Sequence, residues 1–422
     1  MTSHAVRIHT FIASLIGVGC MALSPQAGAT NGYFAHGYGV KAESVAGVGV
    51  ALPQDGLTAA TNPAGTAYVG NRLDAGLNYF EPSRGADIQG NAFGLNGSYS
   101  ANGKKAFLIP ELGYVRQLSD ALSLGLAIYG NGGMNTQYDQ NPFASIGGQG
   151  RAGVNLEQLF ISPSVAYKIT PEHTFGLALN LAYQRFSAQG IGAFATASNA
   201  PANVSDQGTD TSTGAGLRLG WIGQVTPQWR LGATWSSKIS GRFDKYKGLF
   251  ADNGSFDIPA NYALGVAYQP TADWTIAADY QVIEYSGVKS VATPLSKLNT
   301  GNLLGSADGP GFGWEDVSVY KLGLIYRLRP DWTLRGGYSH ATQAVPANQT
   351  FFNILAPGVV QDHVTAGFTW KADAHSEWSA FYGHVFTKTV NGQQSIPNSF
   401  GGGEANVHLK EDILGVSYGW SF

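Results

Sequence analysis

A chain of 422 residues with only 13% charged and a formal net charge of −3 lacks the basic footprint that nucleic-acid binding requires. Its 57 Gly, 21 Phe and 20 Tyr favour an all-β protein with long loops over a helical one. A lone cysteine, Cys20, excludes an internal disulfide framework.

The N-terminus reads as an export signal: Arg7 in a basic leader, an apolar core from Phe11 to Leu23, and small residues Ala27-Gly28-Ala29 before a cut at Thr30. That core is shorter than the roughly 18 to 20 residues a spanning helix needs, and no later stretch reaches that length. Gly19-Cys20 fits a lipoprotein site poorly, because Gly17 stands where a Leu is expected.

Residues 30–69, rich in Gly and Ala, show no period of two. Val40 to Ala46 and Leu57 to Thr61 each suit a short helix, the second closed by Asn62-Pro63. Gly37-Tyr38-Gly39-Val40-Lys41-Ala42 matches a dinucleotide-binding pattern, yet no strand precedes it and no βαβ unit surrounds it.

From Arg72 onward alternation takes over. Strands are predicted at 72–82, 108–118, 121–131, 157–169, 174–187, 213–225, 229–242, 257–269, 274–287, 317–328, 332–341, 360–371, 377–388 and 408–422. Six short turn-forming stretches join them in pairs, beginning at Leu118, Thr170, Thr226, Pro270, Arg329 and Ala372. With both ends of the meander on the turn side, six turns there and seven longer connections opposite require fourteen strands, an even number as a closed outer-membrane barrel has. Such a lumen is too wide for wall side chains to fill. Residues 30–69 are therefore expected inside it as a plug.

Trp274, Ile276, Ala278, Tyr280 and Val282 share one strand face, with Thr275, Ala277, Asp279 and Gln281 on the other. Alternation alone does not choose between a soluble core and lipid. The tryptophans do: Trp229, Trp274, Trp332 and Trp378 each open a strand after a turn, at the height of a membrane aromatic belt. In the last nine residues Leu414, Val416, Tyr418, Trp420 and Phe422 alternate with Gly and Ser. A final strand ending on an aromatic is similar to the signal read by the outer-membrane assembly machinery, which makes that machinery an expected partner through Phe422.

Several connections opposite the turns are apolar: Phe143 and Ile146 in one, Phe312 and Trp314 in another, Phe351, Phe352, Ile354 and Leu355 in a third. Exposed apolar loops need a reason. They either pack on one another as a lid or offer a landing surface to a hydrophobic solute, and both can hold. By strand parity Lys168, Arg218, Arg230, Lys238, Lys321 and Arg335 point inward. Arg218 and Lys321, in mid-strand, are candidates for a ligand carboxylate, with ion-pairing to wall or plug as the alternative for each. The His and acidic residues show no metal-ligand spacing and no nucleophile set is nominated, so neither a metal, a cofactor nor catalysis is expected.

These features resemble the FadL/TodX family of outer-membrane transporters for long-chain fatty acids and aromatic hydrocarbons. The resemblance runs through essentially the whole chain, in Asn31-Gly32-Tyr33-Phe34-Ala35-His36-Gly37, Asn62-Pro63-Ala64, Tyr129-Gly130-Asn131-Gly132-Gly133-Met134-Asn135, Leu156-Glu157-Gln158-Leu159-Phe160, Phe243-Asp244-Lys245-Tyr246, Phe256-Asp257-Ile258-Pro259-Ala260-Asn261-Tyr262, Asp308-Gly309-Pro310-Gly311-Phe312-Gly313-Trp314 and Phe352-Asn353-Ile354-Leu355-Ala356-Pro357-Gly358. It implies a monomer: a hatch at 30–69 within a barrel at 70–422, set among outer-membrane lipid and lipopolysaccharide. It also implies capture of hydrophobic small molecules by the extracellular loops, gating by the hatch, and lateral release where the third strand kinks. Here the Gly-rich tail of that strand, with Gly130, Gly132 and Gly133, permits a kink or is simply a loop entrance. Asn62, Pro63 and Ala64 match the family's hatch motif, an ordinary helix stop being the alternative. The implied cargo is a long-chain fatty acid or related hydrocarbon, or more narrowly a monoaromatic. A plain porin is disfavoured by the long segment before the first strand.

Overall fold

The computed structural model describes residues 31–422, and the expected signal peptide at 1–29 lies outside them. Along the strand His173–Gln189 the exposed positions Phe175, Leu177, Leu179, Leu181 and Tyr183 are all apolar, while Asn180 and Gln184 between them are buried. That is the reverse of a water-soluble strand, and only lipid makes it stable. The same inversion recurs around the wall, with Leu217, Leu219, Leu264, Leu322, Leu324 and Leu414 exposed.

Fifteen strands form one antiparallel sheet, in sequence order except that β1 neighbours both β2 and β3. They are β1 (Arg72–Gln89), β2 (Gly97–Ser100), β3 (Phe107–Gln117), β4 (Leu122–Asn135), β5 (Gly153–Lys168), β6 (His173–Gln189), β7 (Asp210–Gln224) and β8 (Trp229–Ser236). There follow β9 (Asn261–Tyr268), β10 (Trp274–Ile283), β11 (Val317–Arg329), β12 (Trp332–Ala341), β13 (Asp362–Lys371), β14 (Ser376–Val390) and β15 (Glu404–Ser421). β15 pairs with β1 from Arg72↔Ser421 to Gln89↔Glu404, which closes the barrel and leaves no free edge there. β2 pairs only with the upper part of β1, on the edge that β3 takes lower down, so the wall itself has fourteen strands.

Several boundaries differ from the sequence expectation. β1 does not stop at 82: Pro82 pairs with Glu411 and the strand runs on to Gln89. β8 and β9 are shorter than expected, ending at Ser236 and starting at Asn261, with isolated bridges Ile239↔Ile258 and Arg242↔Ser255 beyond them.

The tryptophan belt is built from pairs. Trp229 stacks on Tyr268 with ring centroids 4.3 Å apart and Trp274 on Tyr326 at 4.5 Å, while Trp332 meets Phe368 and Trp378 meets Tyr418 at 5.3 and 5.0 Å. Each pair joins neighbouring strands at the turn end, adding cross-strand attraction to interfacial anchoring. The chain end is fixed close by: the Phe422 amide donates to the Asn71 carbonyl at 3.1 Å.

A charge placed on the lipid face tests this orientation. Leu322→Arg, in mid-wall, is expected to destabilise the barrel by about 2–4 kcal/mol, against about 0–1 kcal/mol for Leu118→Arg at the turn-side interface. Reversible denaturant unfolding in lipid vesicles measures both.

Candidate functional site

Residues 31–69 have little secondary structure to satisfy their own amides: a single helical turn, α1 (Val40–Glu43), and two 3₁₀ turns at Gly56–Ala60 and Pro63–Tyr68. A buried amide without a partner is costly, and inward-facing wall side chains supply the partners. Glu111 on β3 accepts from the Gly39 and Val40 amides at 3.0 Å each. Asp279 on β10 accepts from Gly49 and Val50 at 2.8 and 3.0 Å, and Asp74 on β1 accepts from Gly56 at 2.7 Å. Ion pairs add to this, since Lys41 bridges to Glu377, which also pairs with Arg72 at 2.6 Å. The segment thus lies inside the barrel, strapped to the wall strand by strand.

Asn62 begins the second 3₁₀ turn rather than merely ending the first. Its Oδ1 caps the Ala64 amide at 3.1 Å, and Pro63 occupies the first position of the turn, where no N–H is needed. The other end of the amide reaches outward: Nδ2 donates to the carbonyls of Val50 at 2.8 Å, Trp221 at 3.0 Å and Ala233 at 3.4 Å. Gly176 and Gly220 on the facing strands make this approach possible, because a Cβ at either would collide with Ala64 or Asn62.

A break interrupts the wall between β3 and β4. β3 and β4 pair only from Leu112↔Ile128 to Gln117↔Ser123, although β3 extends upward to Phe107 and β4 to Asn135. Above that, Phe107 to Glu111 pair with β1 alone, and Tyr129 to Asn135 with β5 alone across a register shift between Gly130 and Gly132. Pro110 lies in the unpaired stretch, the edge position that strands allow to proline. The upper rim is closed by the Asn102↔Gln137 bridge. The result is a window in the side of the barrel.

The N-terminal segment stops this window from within. Phe34 bridges to Gly132, the Gly133 amide donates to the Tyr33 carbonyl at 2.8 Å, and the Ala35 amide donates to the Asn131 carbonyl at 3.0 Å. A Cβ at Gly132 would collide with the Tyr33 carbonyl oxygen. Tyr33 is held in turn by the lid, with the Tyr285 hydroxyl accepting from its amide at 3.1 Å and the Trp314 ring 5.8 Å away.

The apolar loops have collapsed on one another. Phe143, Phe312, Trp314, Phe351, Phe352, Ile354 and Leu355 are buried, and Ile146 packs half-buried against them. Phe194 and Phe400, which the sequence reading passed over, complete the cluster at 5.0 Å from Phe143 and 5.6 Å from Phe351. The expected landing surface is therefore not displayed in this state: mutual burial of these rings stabilises a closed lid instead.

Arg218 and Lys321 come together on a polar cavity of about 30 Å³ between the N-terminal segment and the wall, with His36, Asn261, Asp279 and Gln281. Lys321 Nζ donates to the His36 carbonyl at 2.9 Å and to that of Gly47 at 3.4 Å, so in this state it is a strap. Arg218 Nε donates to Ser236 Oγ at 2.6 Å, while its buried Nη1 has no partner among the described residues. Burial, with His363 and Lys321 facing it, pushes the His36 imidazole down to about 3, so it stays neutral. No group of His, Cys, Asp and Glu among the described residues could hold a metal ion.

Comparison with known proteins places this geometry. A family model described as outer membrane protein transport protein (OMPP1/FadL/TodX) matches residues 26–422. A long-chain fatty acid transport protein of Escherichia coli O6:H1 is 24% identical, the match covering 98% of this chain and 99% of the relative. Among solved structures, a FadL homologue of Pseudomonas aeruginosa has a TM-score of 0.71 at 16% identity, covering 93% of this chain and all of that one. The toluene transporter TodX of P. putida has a TM-score of 0.66 at 19% identity, with 92% and 99% covered. At such identities the structures speak for the fold alone.

Two substitutions probe the straps. Gly132→Val is expected to expel Tyr33 and Phe34 from the window, read as faster maleimide labelling of a cysteine placed at Ala35 than in the parent. Asn62→Ala removes three donated bonds and a cap, worth about 1–2 kcal/mol for the cap alone, and is expected to raise ion conductance in planar bilayers by loosening the segment.

Proposed function

Because this chain belongs to the outer membrane protein transport family OMPP1/FadL/TodX, we propose that it takes up hydrophobic small molecules, passing them from the lid to the N-terminal segment and out sideways between β3 and β4. The observation that carries this reading is the interrupted β3–β4 ladder, stopped from within by Tyr33 to Ala35. Residues 31–69 act as the hatch. Gly130, Gly132 and Gly133 form the hinge of the window, and Asn62-Pro63-Ala64 seats the hatch on β7 and β8.

A side exit suits greasy cargo. Releasing a chain of a dozen methylenes into water costs about 10 kcal/mol, and a path that opens directly into lipid avoids that cost. The lid aromatics serve as the first apolar surface once they part. Phe422 is the mark by which the assembly machinery recognises the chain, and the barrel works as a monomer among lipid and lipopolysaccharide. Transport needs no catalytic group.

The cargo class follows from the company the chain keeps and from its lumen. The E. coli relative is named for long-chain fatty acids and the TodX structure for toluene. Fatty acid uptake needs a cation for the carboxylate, and the partnerless Arg218 Nη1 with Lys321 beside it is the place for one. A monoaromatic needs only the apolar route. A general porin would leave the lumen open, and the strapped segment argues against it.

Cells that depend on this barrel are expected to take up a fluorescent long-chain fatty acid, while liposomes containing it stay closed to small sugars. The Arg218→Ala, Lys321→Ala double variant should lower uptake of the acid at least tenfold and leave an alkane of equal length unaffected. Unchanged acid uptake removes the carboxylate role from both residues.

A further inference from the structure

At the inner mouth of the window lies a second cavity, about 40 Å³ and lined mainly by carbon, where Phe107 of β3, Gly133 and Met134 of β4 and Trp314 of the lid meet. By the space that buried water occupies, it has room for a head group of a few atoms. Arg84 of β1 and Glu411 of β15 bring ionisable groups to it, and Asn135 of β4 lines it beside them.

Arg84 is 2% exposed, yet every oxygen it donates to is neutral. A guanidinium buried without a counter-anion is costly. Its Nε donates to the Asn135 carbonyl and its Nη2 to Asn135 Oδ1, each at 2.6 Å. Those two nitrogens form the edge of the guanidinium fork that takes both oxygens of a carboxylate side by side. Asn135 thus offers Arg84 a stand-in for a carboxylate, assembled from one backbone and one side-chain oxygen. Nη2 also donates to the Lys104 carbonyl at 2.7 Å and Nη1 to the Pro82 carbonyl at 3.1 Å. Four bonds for five N–H groups leave one N–H of Nη1 without an acceptor among the described residues.

These bonds join β1, the loop that leads into β3 and the top of β4 across the upper end of the window. Asn135 passes the tie on, its Nδ2 donating to Asn155 Oδ1 on β5 at 2.8 Å. We propose that Arg84 is the latch of the lateral window and a seat for the cargo's carboxylate: the head group of a fatty acid takes the fork from Asn135, and the freed top of β4 lengthens the slot. The inference rests on the proposed exit between β3 and β4 and deepens its fatty acid arm. An anion brings full charge to both fork positions where Asn135 brings none, and such bonds gain most in a nonpolar surround. Glu411 does not stand in its way, since burial at 1% exposure is far cheaper for the uncharged acid. Its Oε2 has no partner among the described residues, and as that acid it can donate to the arriving anion. Uncharged cargo uses the same window without pulling the latch.

The only cysteine, Cys20, lies in the expected signal peptide, so spin labels can be placed on Ala106→Cys and Gln140→Cys, either side of the upper window, in the purified barrel. Electron-resonance distances between them are expected to lengthen with dodecanoate and to stay at the ligand-free value with dodecan-1-ol, a chain of equal length without the charge. Arg84→Gln should abolish the dodecanoate response. Asn135→Asp, which sets a permanent carboxylate on the fork, should abolish it too and lower the ratio of dodecanoate to dodecanol uptake by cells about tenfold, the added strength of a charged over a neutral acceptor. Equal distances with the acid and the alcohol overturn the inference, as does a response that survives Asn135→Asp, even where Arg84→Gln does not fold. Uptake of dodecanoate by wild type without any such response sinks this inference alone, whereas uptake of neither chain removes the proposed function with it.

Discussion

Backbone hydrogen bonding in lipid governs this molecule at every scale. A strand in hydrocarbon must pair on both edges, which forces the sheet to close from β1 to β15, and closing fourteen strands leaves a space that wall side chains cannot fill. The segment that fills it is too irregular to satisfy itself. Glu111, Asp279 and Asp74 are therefore acidic residues turned inward to receive amides, and the cost of burying them is offset by the hydrogen bonds they accept. The same rule makes the unpaired stretch between β3 and β4 stand out. Its β4 edge is met by a peptide that is not part of the wall, which is why that peptide can act as a stopper.

The fold was legible because lipid inverts the usual pattern without disturbing its period. Alternation located the strands, the turns counted them, and Trp229, Trp274, Trp332 and Trp378 identified the environment. The end of β1 was drawn short at residue 82, although Pro82 is accommodated within the longer strand opposite Glu411. The apolar loops were legible as a group but not in their state. Phe143 and Phe351 look alike in sequence whether they face solvent or each other, and only the approach of Phe194 and Phe400 from other connections decides it.

The candidate site was legible in part. Asn62-Pro63-Ala64 and the glycines of β4 announce a cap and a bend through their own conformational preferences, which are local. Arg218 and Lys321 were placed inside by parity, yet parity does not say that Lys321 is occupied by the carbonyls of His36 and Gly47 while Arg218 keeps a nitrogen unused. Glu111 and Asp279 carry no motif at all. Their task is set by peptides more than 70 residues distant in the chain, and long-range pairing of that kind leaves no mark on a single sequence.

The break in the ladder is bounded at both ends, by Leu112↔Ile128 below and Asn102↔Gln137 above. At about 3.4 Å per residue, the freed stretch from Phe107 to Glu111 makes a slot about 17 Å long, and its width can grow only by unzipping further bonds. A slot of those proportions is a sieve for shape. On the proposed lateral route it would pass slender chains lengthwise and single rings edge-on, and hold back fused or heavily branched molecules however greasy they are.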